Sequence, residues 1–229
     1  MSTAKELAKA YYDGLKEAYY SCDGQEVWDH FAAVAQGASQ EDIDRLLELY
    51  PDAPDSLIEL LKLVDGTYFR EYPKDKVCFY FLGSDMEGYP YYLLSARQMV
   101  ETKDDFAKWG DYLINREYDD TTPEQSAPAA CGPYDYVAPQ ICDEIPVDEG
   151  VCDDMGKLNF LHFSDCMNNG GTSQLFIDFS PSAKGKKGQV LRFLHDPDEM
   201  VIVADSFDEY LQLLIDQDYA FIDEDSIEE

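Results

Sequence analysis

The chain has 229 residues, 45% of them hydrophobic and 14% aromatic, enough for a globular domain with a sizeable core. Against 17 Lys and Arg stand 48 Asp and Glu, a formal charge of −31. A surface of that sign repels phosphate backbones and anionic lipid, which argues against nucleic-acid and membrane-surface binding; it fits either attraction to a basic protein or solubility alone.

The N-terminus, from Met1 to Ala10, has no apolar core of signal-peptide length and carries Glu6 early. The spacing of Leu7, Tyr11, Leu15 and Ala18 predicts a helix over 3–20, weakened by Gly14. Asp23 and Glu26 resemble a capping box for a second helix, with Trp28, Phe31, Ala32 and Ala35 on one side and Gly37 at its end. This leader, 1–38, is an N-terminal helical extension that either packs on the main domain or reaches a partner. Ser39 caps a third helix, where Ile43, Leu46, Leu47 and Tyr50 stand at i, i+3, i+4 and i+7. Pro51 and Pro54 break it. Leu57, Leu60, Leu61 and Val64 repeat the pattern until Asp65-Gly66, and both stripes are expected to face a common sheet.

Residues 77–82 and 89–94 read as strands, with Cys78 packed inside the first. A polar helical stretch follows over 96–117, its apolar positions being Met99, Phe106, Trp109, Leu113 and Ile114. After residue 157 short strands at 158–163, 174–179, 189–194 and 200–204 alternate with Gly- and Asn-rich turns, which predicts an antiparallel meander. Ser206 and Glu209 open a final helix that buries Phe207, Tyr210, Leu211 and Leu214. The main domain spans 39–218, and an acidic C-terminal tail, 219–229, is expected to fray from Ile222 onward.

Charge is distributed unevenly. The stretch 117–154 holds eleven acids and no Lys or Arg, and from Asp196 to the end there are thirteen acids and again no base. An acidic, Pro-containing insertion is therefore placed at 117–156, between helix and meander. Its Tyr134, Tyr136, Val137, Ile141, Ile145 and Val147 favour an ordered surface feature over a solvated spacer. The basic turn Lys184–Lys187 stands out against this background.

Chemistry-bearing motifs are scarce. No P-loop, GxGxxG, GxSxG or HExxH is present. Cys22, Cys78, Cys131, Cys142, Cys152 and Cys166 contain no CxxC pair, so reduced thiols in the cytosol are expected and a zinc site is not. His30, His162 and His195 read as packed or surface histidines, and the nearness of His162 to Cys166 in sequence does not make a nucleophile–base pair. No cofactor, metal or catalytic residue is assigned, and no apolar run approaches the ~20 residues of a membrane span.

The order of elements carries a resemblance. "YPDAPDSLIELLKLVDG", ending at Gly66, resembles the opening of the SUKH superfamily: a helix, a proline-marked break, a second helix and a terminal Gly. "LNFLHFSDCMNNGGTSQLFIDFSP", with Asp178, "GKKGQVLRFLHD", with Gly188 and Val190, and "MVIVADSFDEYLQLL" resemble its closing strands and helix. The likeness covers roughly 39–116 and 157–217 and leaves out the leader and the insertion. It implies an α+β fold, an antiparallel sheet meander flanked by helices, here with an N-terminal helical leader and an acidic insertion. It also implies binding without catalysis. The superfamily includes bacterial immunity proteins that neutralise toxins and fungal Knr-type regulators of cell-wall synthesis. An immunity protein for a cognate toxin with a basic active-site cleft is thus the first expectation. A regulatory interaction module for an endogenous partner is the second, and an enzyme or ligand-binding protein with an unrecognised pocket the third. The acidic, aromatic-containing insertion is the expected contact surface, through Asp119, Asp120, Tyr134, Asp135, Tyr136, Asp143, Glu144, Asp148, Glu149, Asp153 and Asp154.

Overall fold

The computed structural model describes residues 3–86, 88–106, 146–152, 154–166, 173–194 and 198–228. The first helix, α1 (Ala4–Ser21), starts at a reciprocal capping box between Thr3 and Glu6 and buries Ala8, Tyr11, Leu15 and Tyr19. In α2 (Gln25–Val34) the buried side chains are Trp28, Phe31 and Val34. The expected Asp23–Glu26 box does not form. The N-cap is Gly24, without a side-chain cap, because Asp23 sits in the left-handed region at φ 61° and cannot offer the extended backbone that a capping side chain needs. Nor does Gly37 end this helix. The chain is already extended at Ala35, and Gly37 serves a close crossing, where a Cβ would meet the Lys62 carbonyl oxygen at 2.0 Å.

The helices α3 (Gln40–Leu49) and α4 (Asp55–Leu63) follow, the first capped by Ser39 accepting from the Asp42 N–H. Leader, helices and sheet share one core: Tyr11, Trp28 and Phe31 belong to the same buried cluster as Leu46, Leu61, Phe163, Leu175 and Tyr210. The leader therefore packs on the main domain.

Two short strands, β1 (Arg70–Glu71) and β2 (Lys76–Val77), form a hairpin. Beyond Val77 the expected strand does not continue. Scattered backbone links hold the segment, from the Phe79 N–H to the Thr67 carbonyl, from the Phe81 N–H to Tyr91 O and across a Leu82–Tyr91 bridge. Tyrosine hydroxyls take its carbonyls instead: Tyr19 donates to Tyr80 O at 2.7 Å, Tyr11 to Phe81 O at 2.6 Å and Tyr210 to Gly83 O at 2.7 Å. These donors come from helices, so no neighbouring strand is needed to satisfy buried backbone. Val77 and Phe79 turn inward, Phe79 stacking on Phe31 at 4.0 Å, which leaves Cys78 exposed and not packed as its strand-like setting suggests. Removal of one such hydroxyl has a definite cost. Tyr11→Phe strands a buried carbonyl and is expected to lower stability by about 1–3 kcal/mol in urea unfolding. Tyr20→Phe, which only breaks a surface bond from a half-buried tyrosine to Asp29, should stay within about 0.5 kcal/mol of wild type.

The main sheet is antiparallel, ordered β3 (Tyr92–Leu93), β4 (Phe160–Cys166), β5 (Ser173–Asp178), β6 (Gln189–Leu194) and β7 (Glu199–Ala204). Every residue of β4, β5 and β6 is buried. Both faces are therefore covered, which is why these strands lack a polar side. Leu161, Phe163, Leu175, Ile177 and Val190 face the helices. Phe160, Phe176, Leu191, Phe193 and Met200 form a second, smaller core on the opposite face with Phe106 and Val151. Phe106 arrives there after α5 (Ala96–Glu101), shorter than the expected stretch; Trp109, Leu113 and Ile114 lie outside the described residues. The free edge of β7 is met by the end of the insertion: Met200 N–H donates to Pro146 O and Met200 O accepts from the Asp148 N–H, both at 2.9 Å, in a parallel bridge.

Helix α6 (Phe207–Asp216) begins where Ser206 Oγ accepts from the Glu209 N–H. The following residues do not fray as expected. Asp218 and Tyr219 adopt left-handed backbone, at φ 52° and 56°, and this reversal carries Tyr219, Phe221 and Ile222 into the core. The Tyr219 hydroxyl donates to Tyr11 O, and a short helix, α7 (Glu224–Glu228), ends the described chain. Burial of three large apolar side chains outweighs the acidity of the tail that suggested fraying.

Candidate functional site

Of the expected contact residues, Asp119, Asp120, Tyr134, Asp135, Tyr136, Asp143, Glu144 and Asp153 lie outside the described residues, as do Cys131, Cys142 and His195. Asp148, Glu149 and Asp154 are described. Asp148 and Glu149 share one turn after the β7 contact, where Asp148 Oδ1 accepts from the Gly150 N–H at 2.9 Å. Glu149 pairs with Lys184, whose hydrogen bond holds the carboxyl below the usual carboxylate range. Asp154 pairs with Lys157 at 2.5 Å and accepts from the Gly156 N–H, and the lysine again lowers its pKa. The basic turn is no open patch either. Lys186 meets Asp205 and Lys187 meets Asp52, so each of its lysines serves a different acid. These pairs are exposed and screened, and they orient the turn more than they stabilise it.

A different constellation lies on the second face of the sheet, at its β3–β5 end. Asp165 stands opposite Gln174 in the β4–β5 ladder and opposite Tyr92 in the β3–β4 ladder. Desolvation raises the Asp165 carboxyl to about 6, against the lowering pull of Gln174 and the Cys166 N–H. His162 is buried beside it, its ring 5.1 Å from that of Phe176. Its Nε2 lies 3.0 Å from Ser164 O, 3.8 Å from Asp165 Oδ2, and its Nδ1 3.3 Å from Thr102 Oγ1. Desolvation pushes His162 down to about 4, so the neutral tautomer with Nε2–H donating to Ser164 O predominates at neutral pH. Cys166 belongs to the helix-side core, on the other face from His162, so the two do not form a nucleophile–base pair.

Beside Asp165 runs an aromatic row. Tyr92 lies 5.3 Å from Tyr68, 6.4 Å from Phe69 and 4.8 Å from Tyr80, and its hydroxyl is hydrogen-bonded to Tyr80 and Cys78. Burial raises the Tyr92 and Tyr68 phenols, the Asp165 charge adding to the effect on Tyr68. Phe69 is 47% exposed and holds a left-handed φ of 47°, a strained state for an aromatic residue. Lys76 covers its ring at 4.7 Å. Sequence reasoning passed over Asp165 and Gln174. The available signal was their polarity at positions inside otherwise apolar strands.

A third feature is an open groove of about 480 Å³ between α2 and β2, lined by Glu26, Val27, His30, Phe31 and residues 76–79. His30 in its lining contacts Asp75 at 3.3 Å. Among the described residues no group of three or more His, Cys, Asp or Glu is arranged to hold a metal ion. No helix among them is long and apolar enough to cross a membrane.

With this geometry in place, comparison with known proteins gives one positive finding. The family model described as SMI1 / KNR4 family (SUKH-1) matches residues 37–213, from the end of the leader to the last turns of α6. No curated protein matches the chain.

Proposed function

Because the chain belongs to the SMI1 / KNR4 family (SUKH-1), a family of immunity and regulatory proteins that act through protein contacts and are generally non-catalytic, we propose that it is an immunity protein that binds and neutralises a cognate toxin domain in the cytosol. The observation that supports this reading is the run of eleven acids without a Lys or Arg over 117–154 in a chain of charge −31. An enzyme that handles anionic substrates has a basic cleft. Carboxylates placed over such a cleft occupy the position of the substrate and exclude it. Protection against a lethal enzyme needs nanomolar to picomolar binding, about −12 to −16 kcal/mol, within reach of an interface of about 1,600 Å² that has good anchors. Acids speed encounter, and aromatic side chains provide most of the hold. The proposed contact residues are Asp119, Asp120, Tyr134, Asp135, Tyr136, Asp143, Glu144, Asp148, Glu149, Asp153 and Asp154. Glu149 and Asp154 must exchange their lysine partners for cations of the toxin.

Co-expression with the toxin encoded beside the gene tests the function: rescue of growth supports immunity. No toxin beside the gene and no rescue favours the regulatory role for an endogenous partner. Kinetics test the mode. Association is expected to slow steeply between low salt and physiological salt, where charges are screened beyond about 8 Å. An association rate indifferent to salt removes electrostatic steering. Tyr134→Ala with Tyr136→Ala is expected to speed dissociation with the circular dichroism spectrum unchanged. Normal residence time in the double variant removes the insertion as the anchor.

A further inference from the structure

The polar end of the second sheet face contains two buried acceptors without donors. Among the described residues Asp165 Oδ1 and Gln174 Oε1 have no hydrogen-bond partner, although their residues are only 7% and 8% exposed. Residues directly opposite in a ladder project side by side on one face, so the two oxygens belong to one spot. Buried polar atoms are ordinarily paired; the Gln174 side chain and the Cys166 N–H serve the Asp165 carboxyl, yet neither satisfies its Oδ1. No Lys or Arg pairs with Asp165 among the described residues. Its nearest basic group, His162, is neutral and already donates to Ser164 O. The spot therefore asks for a donor from outside, and a cationic one.

The surroundings select which cation. Tyr92 stands next to Asp165 in the ladder, with Tyr68 and the outward-held Phe69 beyond it. A guanidinium brings a plane of five N–H donors for two acceptors and a flat face for aromatic rings, while an ammonium offers a compact, strongly hydrated charge. The negative field of the whole chain draws basic partners toward every such site. We propose that Asp165 and Gln174 receive an arginine side chain of the protein partner, its guanidinium donating to Asp165 Oδ1 and Gln174 Oε1 and stacking on Tyr92 and Tyr68. This deepens the binding role above and rests on it: the insertion steers and anchors a basic partner, and this pocket reads one of its arginines. Both oxygens are shielded in the unbound chain, so entry takes a rotamer change in a bordering side chain.

The probe is a blocked Gly-Arg-Gly peptide, titrated into the full-length chain while NMR follows the Asp165 carboxyl carbon and the Gln174 side-chain amide. Addition is expected to lower the Asp165 titration midpoint by about one unit, as an opposite charge at contact distance does. The Gln174 amide signal should move with it. The same peptide with citrulline in place of arginine, isosteric and uncharged, should move neither, and Asp165→Asn should abolish the Gln174 response. Silence at Asp165 up to the solubility limit of the arginine peptide overturns the pocket, as does an equal response to citrulline. The wild-type titration decides even where Asp165→Asn fails to fold. With the toxin in hand, Asp165→Asn is expected to speed its dissociation about tenfold or more. Salt-dependent association combined with wild-type dissociation from that variant overturns the pocket and leaves the proposed function standing. An arginine response without rescue in the co-expression test overturns the function and leaves the arginine site.

Discussion

Gly66→Ala is expected to cost about 3–5 kcal/mol, enough to unfold most of a marginally stable protein. Two independent penalties meet at this residue. Its φ of +86° lies where an L side chain is strained, and a Cβ there would approach Ser95 N at 2.5 Å and Ser95 Cα at 2.8 Å. Both are backbone atoms and cannot swing away. The backbone on either side is fixed as well. Asp65 Oδ1 accepts from the Ala96 N–H at 3.0 Å, Asp65 Oδ2 pairs with Arg70 at 2.5 Å, and the Tyr72 hydroxyl donates to Gly66 O. The end of α4, the start of α5 and the approach to β1 thus converge on one glycine. Gly188→Ala separates the two penalties, since Gly188 has φ +90° but nothing within 4 Å of the place its new methyl group would take. It should cost only the conformational part, about 1–2 kcal/mol. Equal urea midpoints for the two variants would remove the close approach from the explanation.

Asp165→Asn and His162→Gln are expected to tilt the acid side of the stability profile in opposite directions. Asp165 titrates at about 6 in the folded chain against an ordinary 3.8. Between those values the native state holds more protons than the unfolded one, so this residue makes the protein more stable as pH falls. His162 titrates at about 4 against an ordinary 6.5. Over nearly the same window the native state holds fewer protons at this site, so His162 makes the protein less stable as pH falls. In the wild type the two effects oppose and largely cancel. Relative to wild type, Asp165→Asn should therefore lose stability on acidification and His162→Gln should gain it, each by up to about 1.4 kcal/mol per pH unit. Urea unfolding at several values between about pH 4 and about pH 6 reads the difference directly, with the many surface acids common to all three proteins. Parallel profiles would mean that the two side chains are solvated in the folded chain.

The helices and the meander were legible because their signals are local: a stripe at helical spacing, a serine before it, a glycine-rich turn between short apolar runs. What escaped depends on partners far along the chain. Nothing in 77–82 announces that Tyr11, Tyr19 and Tyr210 will bind its carbonyls and that of Gly83, so an apolar run reads as a strand and Cys78 as packing. The tail reads as frayed because its acids are visible and the seat of Phe221 against Gly83 is not. Asp165 and Gln174 become a pair only through the β4–β5 register, and that register shifts between His162 and Ser164, so alternation counted from Phe160 points the wrong way by Asp165. Composition revealed the charge of the insertion. It did not reveal that Glu149 and Asp154 would be occupied by lysines of their own chain.

The contact of residues 146–148 with Met200 bears on how the molecule is made. An outer strand with free amides is a template on which further copies of the same chain can add. Synthesis runs from the N-terminus, so the short stretch around Val147 leaves the ribosome before β7 exists. The stretch that covers the Met200 amide is thus available as soon as β7 emerges, and pairing there waits for no later part of the chain.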